Sequence, residues 1–317
     1  MCLSGCSGGH RAADLESVEL WRSDYGAGLK LNTAHYQIFT TLGDPNLLRQ
    51  VPRFMEAAYR GYNGELPESI ETRHKFTIYL FANRREWEDF TRAFTGERAE
   101  LLCKIKAGAY CHNGVCVTYK LEDGRTLSAL GHEGWHQFSG RHFAFRLPSW
   151  LDEGIAMLFE HYVIKGGEFY FEPAGNTYRL NGLAATLREN RVIRLRDLLA
   201  TSPGEVLATD EANAVTAFYS QSYALARFLR ESEFGFWRGD YRRLLKDGLT
   251  GDWPIDRVSR RIARDRNQPR TLLWNRIVGV GLFEKYIDKD IEGLERKYLA
   301  YCRTIVGGQA LDTAGGG

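Results

Sequence analysis

The stretch Leu127–Phe143, LSALGHEGWHQFSGRHF, constrains this chain more than any other. His132 and His136 are four residues apart. On a helix they share one face, one turn above the other, and both imidazoles reach a single ion. Leu127, Leu130, Trp135 and Phe138 recur near the helical period and predict that helix, and the DGRT before it is a turn. Gly131 and Gly134 oppose it, each at a cost of about 1 kcal/mol relative to alanine. A glycine at 134 implies that something packs against that face. Glu133 lies about 100° round the helix from the histidines. It is badly placed to bind the same ion and well placed to take a proton from a water beside it. His132-Glu133-Gly134-Trp135-His136 thus has the form H-E-x-x-H, in which the glutamate is the general base.

Two residues compete to complete the metal site. His142 stands where the longer pattern H-E-x-x-H-x-x-G-x-x-H puts its last histidine. That pattern needs glycine at 139, whereas this chain has Ser139 and places its glycine at 140. The other candidate lies in RLPSWLDEGIAMLFEHY. Ser149 with Asp152 three residues on reads as a capping box opening a second helix. Leu151, Ile155 and Leu158 form its buried stripe, and Glu153 lies on a different face. If that helix crosses the first, Glu153 makes a His2Glu set with one position open, a known catalytic zinc arrangement. If it does not, Glu153 is an acid that answers the helix dipole.

HEGWHQF followed by PSWLDEGIAMLFE resembles the gluzincin metallopeptidases, in which an H-E-x-x-H helix precedes a W-L-x-E-G-x-A helix that carries the glutamate ligand. Among these the chain is similar to the bacterial peptidase-MA-like group. The resemblance runs over roughly residues 31 to 235. It implies a zincin-like α+β fold and one Zn2+ per chain held by His132, His136 and Glu153. It also implies that Glu133 is the base and that the substrate is a peptide or protein. YSQSYALARFL, Tyr219–Leu229, is similar to the helix that carries a transition-state tyrosine in related aminopeptidases. Tyr219 matches that tyrosine and Tyr223 the apolar position four residues on. The aminopeptidase branch also carries a G-x-M-E-N strand before the metal helix. Here the region reads AGAYCHNGV, so the resemblance does not extend to aminopeptidase specificity. The implied activity is zinc-dependent peptide hydrolysis. The alternative is a zincin-fold binding protein without turnover, secreted or lipid-anchored. A retained Glu133 favours the enzyme, because a structural site has no use for a general base.

Lysine and arginine number 42 against 40 aspartates and glutamates, a net charge of +2, which gives no footprint for nucleic acid. The most basic run, Arg257–Arg270, is interrupted by Asp265 and spaced like a solvated helix face. No stretch approaches the ~20 apolar residues of a membrane span. LSGC at Leu3–Cys6 resembles a lipobox, with Cys6 the lipidated residue and SGGHRAADLES a tether. Only Met1 and Cys2 precede it, so the expected start lies upstream. That reading makes the protein exported, in the envelope or periplasm, attached to membrane through a lipid on Cys6. Without it the protein is cytoplasmic. AYCHNGVCVTY carries a type I′ hairpin turn at Asn113-Gly114. His112 and Val115 close the turn, and Cys111 faces Cys116 in a non-hydrogen-bonded pair with Cα atoms ~4.5 Å apart, which predicts a disulfide at the short end of its range.

TAHYQIFTTLG and RHKFTIYLFAN read as strands. NLLRQVPRFMEAAYRGYNGEL and RREWEDFTRAF read as helices, with Pro52 in the first turn of the former. From Pro148 on nearly everything reads helical. The expected division is a signal remnant and tether over 1–30, and an α/β subdomain with an edge hairpin over 31–125. A mostly helical subdomain with the metal follows over 126–306, then a disordered tail over 307–317. The metal sits at the junction, and by resemblance the hairpin near residues 107–118 pairs with extended substrate.

Overall fold

The computed structural model describes residues 15–105, 108–122, 124–209, 211–266 and 274–314. The fold is α+β. Its sheet holds β1 (Leu15–Ser23), β2 (Gly26–Thr33), β3 (Tyr36–Thr40), β4 (Phe76–Phe81), β5 (Tyr110–His112) and β6 (Val115–Tyr119), in the order β1-β2-β3-β4-β6-β5. β1 to β3 form an antiparallel meander. β3, β4 and β6 run parallel, and β5 closes the edge antiparallel to β6. Alternation along β4 sorts the core into two layers. Phe76, Ile78 and Leu80 face one side, covered by α1 (Pro45–Glu65) and α4 (Arg125–His142). Phe81 faces the other, where Trp87 and Phe90 of α2 (Arg84–Thr95) pack with Tyr110 and Val117. A single turn of helix, α3 (Ala99–Leu102), leads from α2 towards β5.

Asp44 caps α1 by accepting from Asn46 N and Leu47 N, with Pro45 in the first turn. The helix therefore starts earlier than expected, and Pro52 lies inside it. There its ring removes the hydrogen bond that residue 52 would make to the Leu48 carbonyl. The hairpin agrees with the sequence register: Cys111 pairs with Cys116 and His112 with Val115, and the turn residues Asn113 and Gly114 have φ of 50° and 75°. Cys111 and Cys116 face each other as thiols, not as the expected disulfide. Cys116 is fully buried in the core layer under α4.

Residues 15–30 are not a tether. β1 pairs with β2 from Leu15↔Thr33 to Ser23↔Gly26, and Trp21 packs 5.4 Å from the Phe39 ring. Cys6 lies outside the described residues. The second part is built from α5 (Ser149–Ala156), α6 (Thr177–Arg188), α7 (Leu195–Ala200), α8 (Pro203–Ala208) and α9 (Ala212–Glu231). Further helices follow at Arg238–Thr250, Arg257–Arg264, Val280–Tyr286 and Ile291–Ala314. The last of these continues through most of the expected tail, carrying Gly307 and Gly308 inside it. The Arg257–Arg264 helix leaves Arg257 and Arg261 exposed, as a solvated face should, while Arg260 and Arg264 sit over the Phe145 ring. This part is not purely helical, because β7 (Tyr162–Lys165) and β8 (Glu168–Phe171) form a hairpin through Gly166 and Gly167. Among the described residues no helix is long and apolar enough to cross a membrane.

Candidate metal centre

α4 forms where its apolar period predicts, and Leu127, Leu130, Trp135 and Phe138 are all buried. Its glycines answer to close packing. A Cβ at 131 would lie 2.3 Å from the Phe159 carbonyl oxygen, and one at 134 would lie 2.4 Å from Tyr62 Oη. Tyr62 Oη donates to the Gly131 carbonyl at 2.7 Å and so locks α1 onto this turn.

α5 crosses behind it. Its start differs from the expected capping box: Pro148 is the cap residue, with no side-chain bond. Ser149 is instead held from afar. Asn275 Oδ1 accepts from Ser149 N at 2.8 Å, and Asn275 Nδ2 donates to Ser149 Oγ at 2.9 Å. Asn275 is fully buried and opens a π-helical turn, Asn275–Gly279. Every residue of α5 is buried, so Glu153 faces no solvent flank and points at the histidines.

His132, His136 and Glu153 form a group positioned to bind a metal ion. His132 Nε2 lies 3.2 Å from His136 Nε2 and 3.4 Å from Glu153 Oε2, and His136 Nε2 lies 3.5 Å from Glu153 Oε2. An ion bound tetrahedrally at ~2.0–2.1 Å holds neighbouring ligand atoms ~3.3–3.4 Å apart, so this triangle matches one face of such a tetrahedron. The three side chains keep 14%, 11% and 9% of their exposure.

The backs of both imidazoles are held by carboxylates that sequence reading missed. His132 Nδ1 donates to Glu160 Oε1 at 2.9 Å, and His136 Nδ1 donates to Asp152 Oδ2 at 3.2 Å. Such partners fix the ring and leave Nε2 for the ion. Asp152 is fully buried and also accepts from Trp135 Nε1 at 2.9 Å and Ser139 Oγ at 3.0 Å. Glu160 is braced by Arg179 of α6, whose Nε and Nη2 donate at 2.7 and 2.6 Å, and by Asn176 Nδ2 at 3.0 Å. Burial would raise the Glu160 carboxyl, but Arg179 and then His132 hold it down to about 2. Burial would lower the His132 imidazole, but Glu153 and Glu160 raise it to about 9. Burial would raise Glu153 too, and the two imidazoles keep it well below its usual range.

Glu133 is not one of the three. Burial, and then the Glu133 carboxylate, push the Cys116 thiol of β6 well up. Tyr219 of α9 lies beside Arg179, whose guanidinium sits 5.4 Å from its ring centre. Burial first, then Glu153, with Glu133 and Glu160 adding, push its hydroxyl far up against the opposing pull of Arg179, so it stays a proton donor. Tyr223 is used elsewhere: it is fully buried, its hydroxyl bonds the Pro173 carbonyl, and it accepts from Arg227 Nη1 at 3.1 Å. His142 is not in the metal group. Its Nε2 shares a 2.7 Å hydrogen bond with Thr72 Oγ1 at the far end of α4.

No family model matches this chain, and no curated protein is similar to it.

Proposed function

We propose that this chain is a zinc-dependent peptidase of the gluzincin type. The observation that carries this reading is the near-equilateral triangle of ligand atoms. Its two imidazoles are aimed from behind by carboxylates, and a glutamate on the same helix is not spent as a ligand. The donor set fits zinc: two imidazole nitrogens and one carboxylate oxygen at tetrahedral spacing, a three-residue set that leaves one position for water. A zinc ion held there supplies Lewis acidity to a water and to a substrate carbonyl. The chain's own residues do the rest. Glu133 takes a proton from the attacking water and returns it to the leaving amine nitrogen. The Tyr219 hydroxyl donates a hydrogen bond to the oxygen that gains negative charge, an effect commonly of ~10²–10³ in rate. β5 is the outermost strand at its edge of the sheet, and β5 and β6 lie beside α4. An extended peptide laid on that edge adds a strand and passes the metal group.

The test is a peptide-library digest, with and without chelator, read by mass spectrometry. Glu133→Gln is nearly isosteric and keeps the three ligands. It should retain metal and cleave ~10²–10⁴-fold more slowly than wild type. Equal rates for the two proteins would overturn the mechanism, and inertness of both would favour a binding protein. Tyr219→Phe should slow cleavage ~10²–10³-fold with metal content unchanged, and Tyr223→Phe should be the milder change.

A further inference from the structure

β1 is the outermost strand at the sheet edge opposite β5, and among the described residues β2 is the only strand it pairs with. Its other side is a row of backbone N–H and C=O groups, a template for a further strand that folded proteins ordinarily blunt or cover. β1 contains neither proline nor lysine, and its one irregularity lies at its start, between Leu15 and Ser17. The strand is also apolar where it is exposed. Val18 and Leu20 share a face, opposite Leu31 and Leu29 of β2, and keep 52% and 86% of their exposure. Two large aliphatic side chains beside an open edge mark a contact surface.

The charges of β1 lie at opposite ends. Glu16 stands near its start and Arg22 near its finish. Arg22 is exposed and forms no ion pair among the described residues. Glu16 meets Lys75 at 2.6 Å, with side chains 55% and 35% exposed. Such a surface pair is worth roughly 0–1 kcal/mol and leaves the carboxylate open to a second cation. An antiparallel copy of the strand runs the other way, so it brings each glutamate beside an arginine.

We propose that a second copy of this chain adds its β1 to this β1, antiparallel, across a two-fold axis at Glu19. Two six-stranded sheets then become one continuous sheet. In that register each Val18 lies opposite a Leu20 and each Glu16 opposite an Arg22, and each pair occurs twice, as a two-fold requires. With the axis perpendicular to the sheet, the aliphatic pairs gather on one face and cover each other. Glu19 meets its own copy, a like-charge contact. Each Glu19 is already met by Lys30 at 3.5 Å and accepts from Asn32 Nδ2 at 2.8 Å. The neighbouring registers are poorer: an axis at Val18 sets Leu20 against Glu16, and one at Leu20 sets Val18 against Arg22. This surface is independent of the metal centre and of any hydrolysis there.

Sedimentation velocity of the full chain over a range of concentrations tests it. Wild type should be a dimer. Arg22→Glu and Glu16→Arg each turn two attractive pairs into two repulsive ones and should weaken it roughly 10-fold or more. An equimolar mixture of these two variants should dimerise again, since each chain then offers the charges that the other lacks. Leu20→Lys places a charge in the aliphatic cluster and should also weaken the dimer. All three positions are exposed, so the substitutions spare the core. A wild type that is monomeric throughout would overturn the proposal. So would a dimer that none of the three substitutions weakens, because it would use another face. A mixture that stays monomeric would overturn the register.

Discussion

His132 and His136 each give Nδ1 to a buried carboxylate and turn Nε2 towards Glu153. Two turns further along the same helix, His142 meets no acid. Its ring lies 4.7 Å from Phe138 and 5.9 Å from Phe76, and its Nε2 shares a hydrogen bond with the Thr72 hydroxyl. Burial, and then the neighbouring Arg141, push its imidazole down to about 4, while His132 is raised to about 9. Three histidines on one helix thus divide by what stands behind the ring. An anion at Nδ1 makes the imidazole electron-rich and fixes its aim. An aromatic cage makes it a neutral packing residue.

The largest break in this comparison comes from deleting rings. Structural zinc is held with ~10–16 kcal/mol over four ligands, so losing one costs roughly 3 kcal/mol, or ~10²-fold. His136→Ala should lose metal on that scale by chelator competition, and His142→Ala should not. Metal loss in the His142 variant with retention in the Glu153→Ala variant would restore the rejected ligand. Next come the carboxylates. Glu160→Gln and Asp152→Asn leave every ligand atom in place and should still weaken metal binding ~10–100-fold. A wild-type affinity in both would mean that the backing acids only hold the fold.

The smallest effect is in pH. In metal-free protein the two kinds of histidine should tilt stability in opposite directions. The folded pKa of His132 lies above its ordinary 6.5, so its contribution is full below 6.5 and is lost as pH rises towards 9. The folded pKa of His142 lies below it, so its contribution is present above 6.5 and is lost as pH falls towards 4. Denaturant midpoints across this range should show the acid-side loss shrinking in His142→Gln, by on the order of 1–2 kcal/mol after allowance for partial solvent screening. A slope unchanged by that substitution would place the acid sensitivity elsewhere.

The ligand triangle was legible because its signals are short and local. A four-residue spacing sets the two imidazoles, and a second helix within twenty residues brings the acid. The register of the Cys111–Cys116 hairpin was legible for the same reason, since Asn113-Gly114 accepts φ > 0 at both turn positions. What stays hidden depends on partners far along the chain. Arg179 and Asn275 have no local mark that ties them to His132 or Ser149. Glu160 had one: it lies two turns beyond Glu153 and on its side of the helix. Ser149 lost its capping role because Asn275 and Pro148 took both ends of it. β1 was misjudged on composition, because what orders it is its pairing with β2 across a two-residue turn and the seating of Trp21 on Phe39. The Gly166-Gly167 turn between VIK and EFYF is a hairpin signal that the helical context around it obscured.

The bond between Asn275 and Ser149 also sets a clock. During synthesis the chain has both histidines and Glu153 in hand early, but the residue that seats the start of α5 arrives 126 positions after Ser149. At ~5–20 residues per second, that is a wait of roughly 6–25 s. Until then the amide of Ser149 lacks the partner that its burial demands, and the second half of the triangle is unanchored. The start of α5 therefore gains this anchor well after the ligand residues themselves are made.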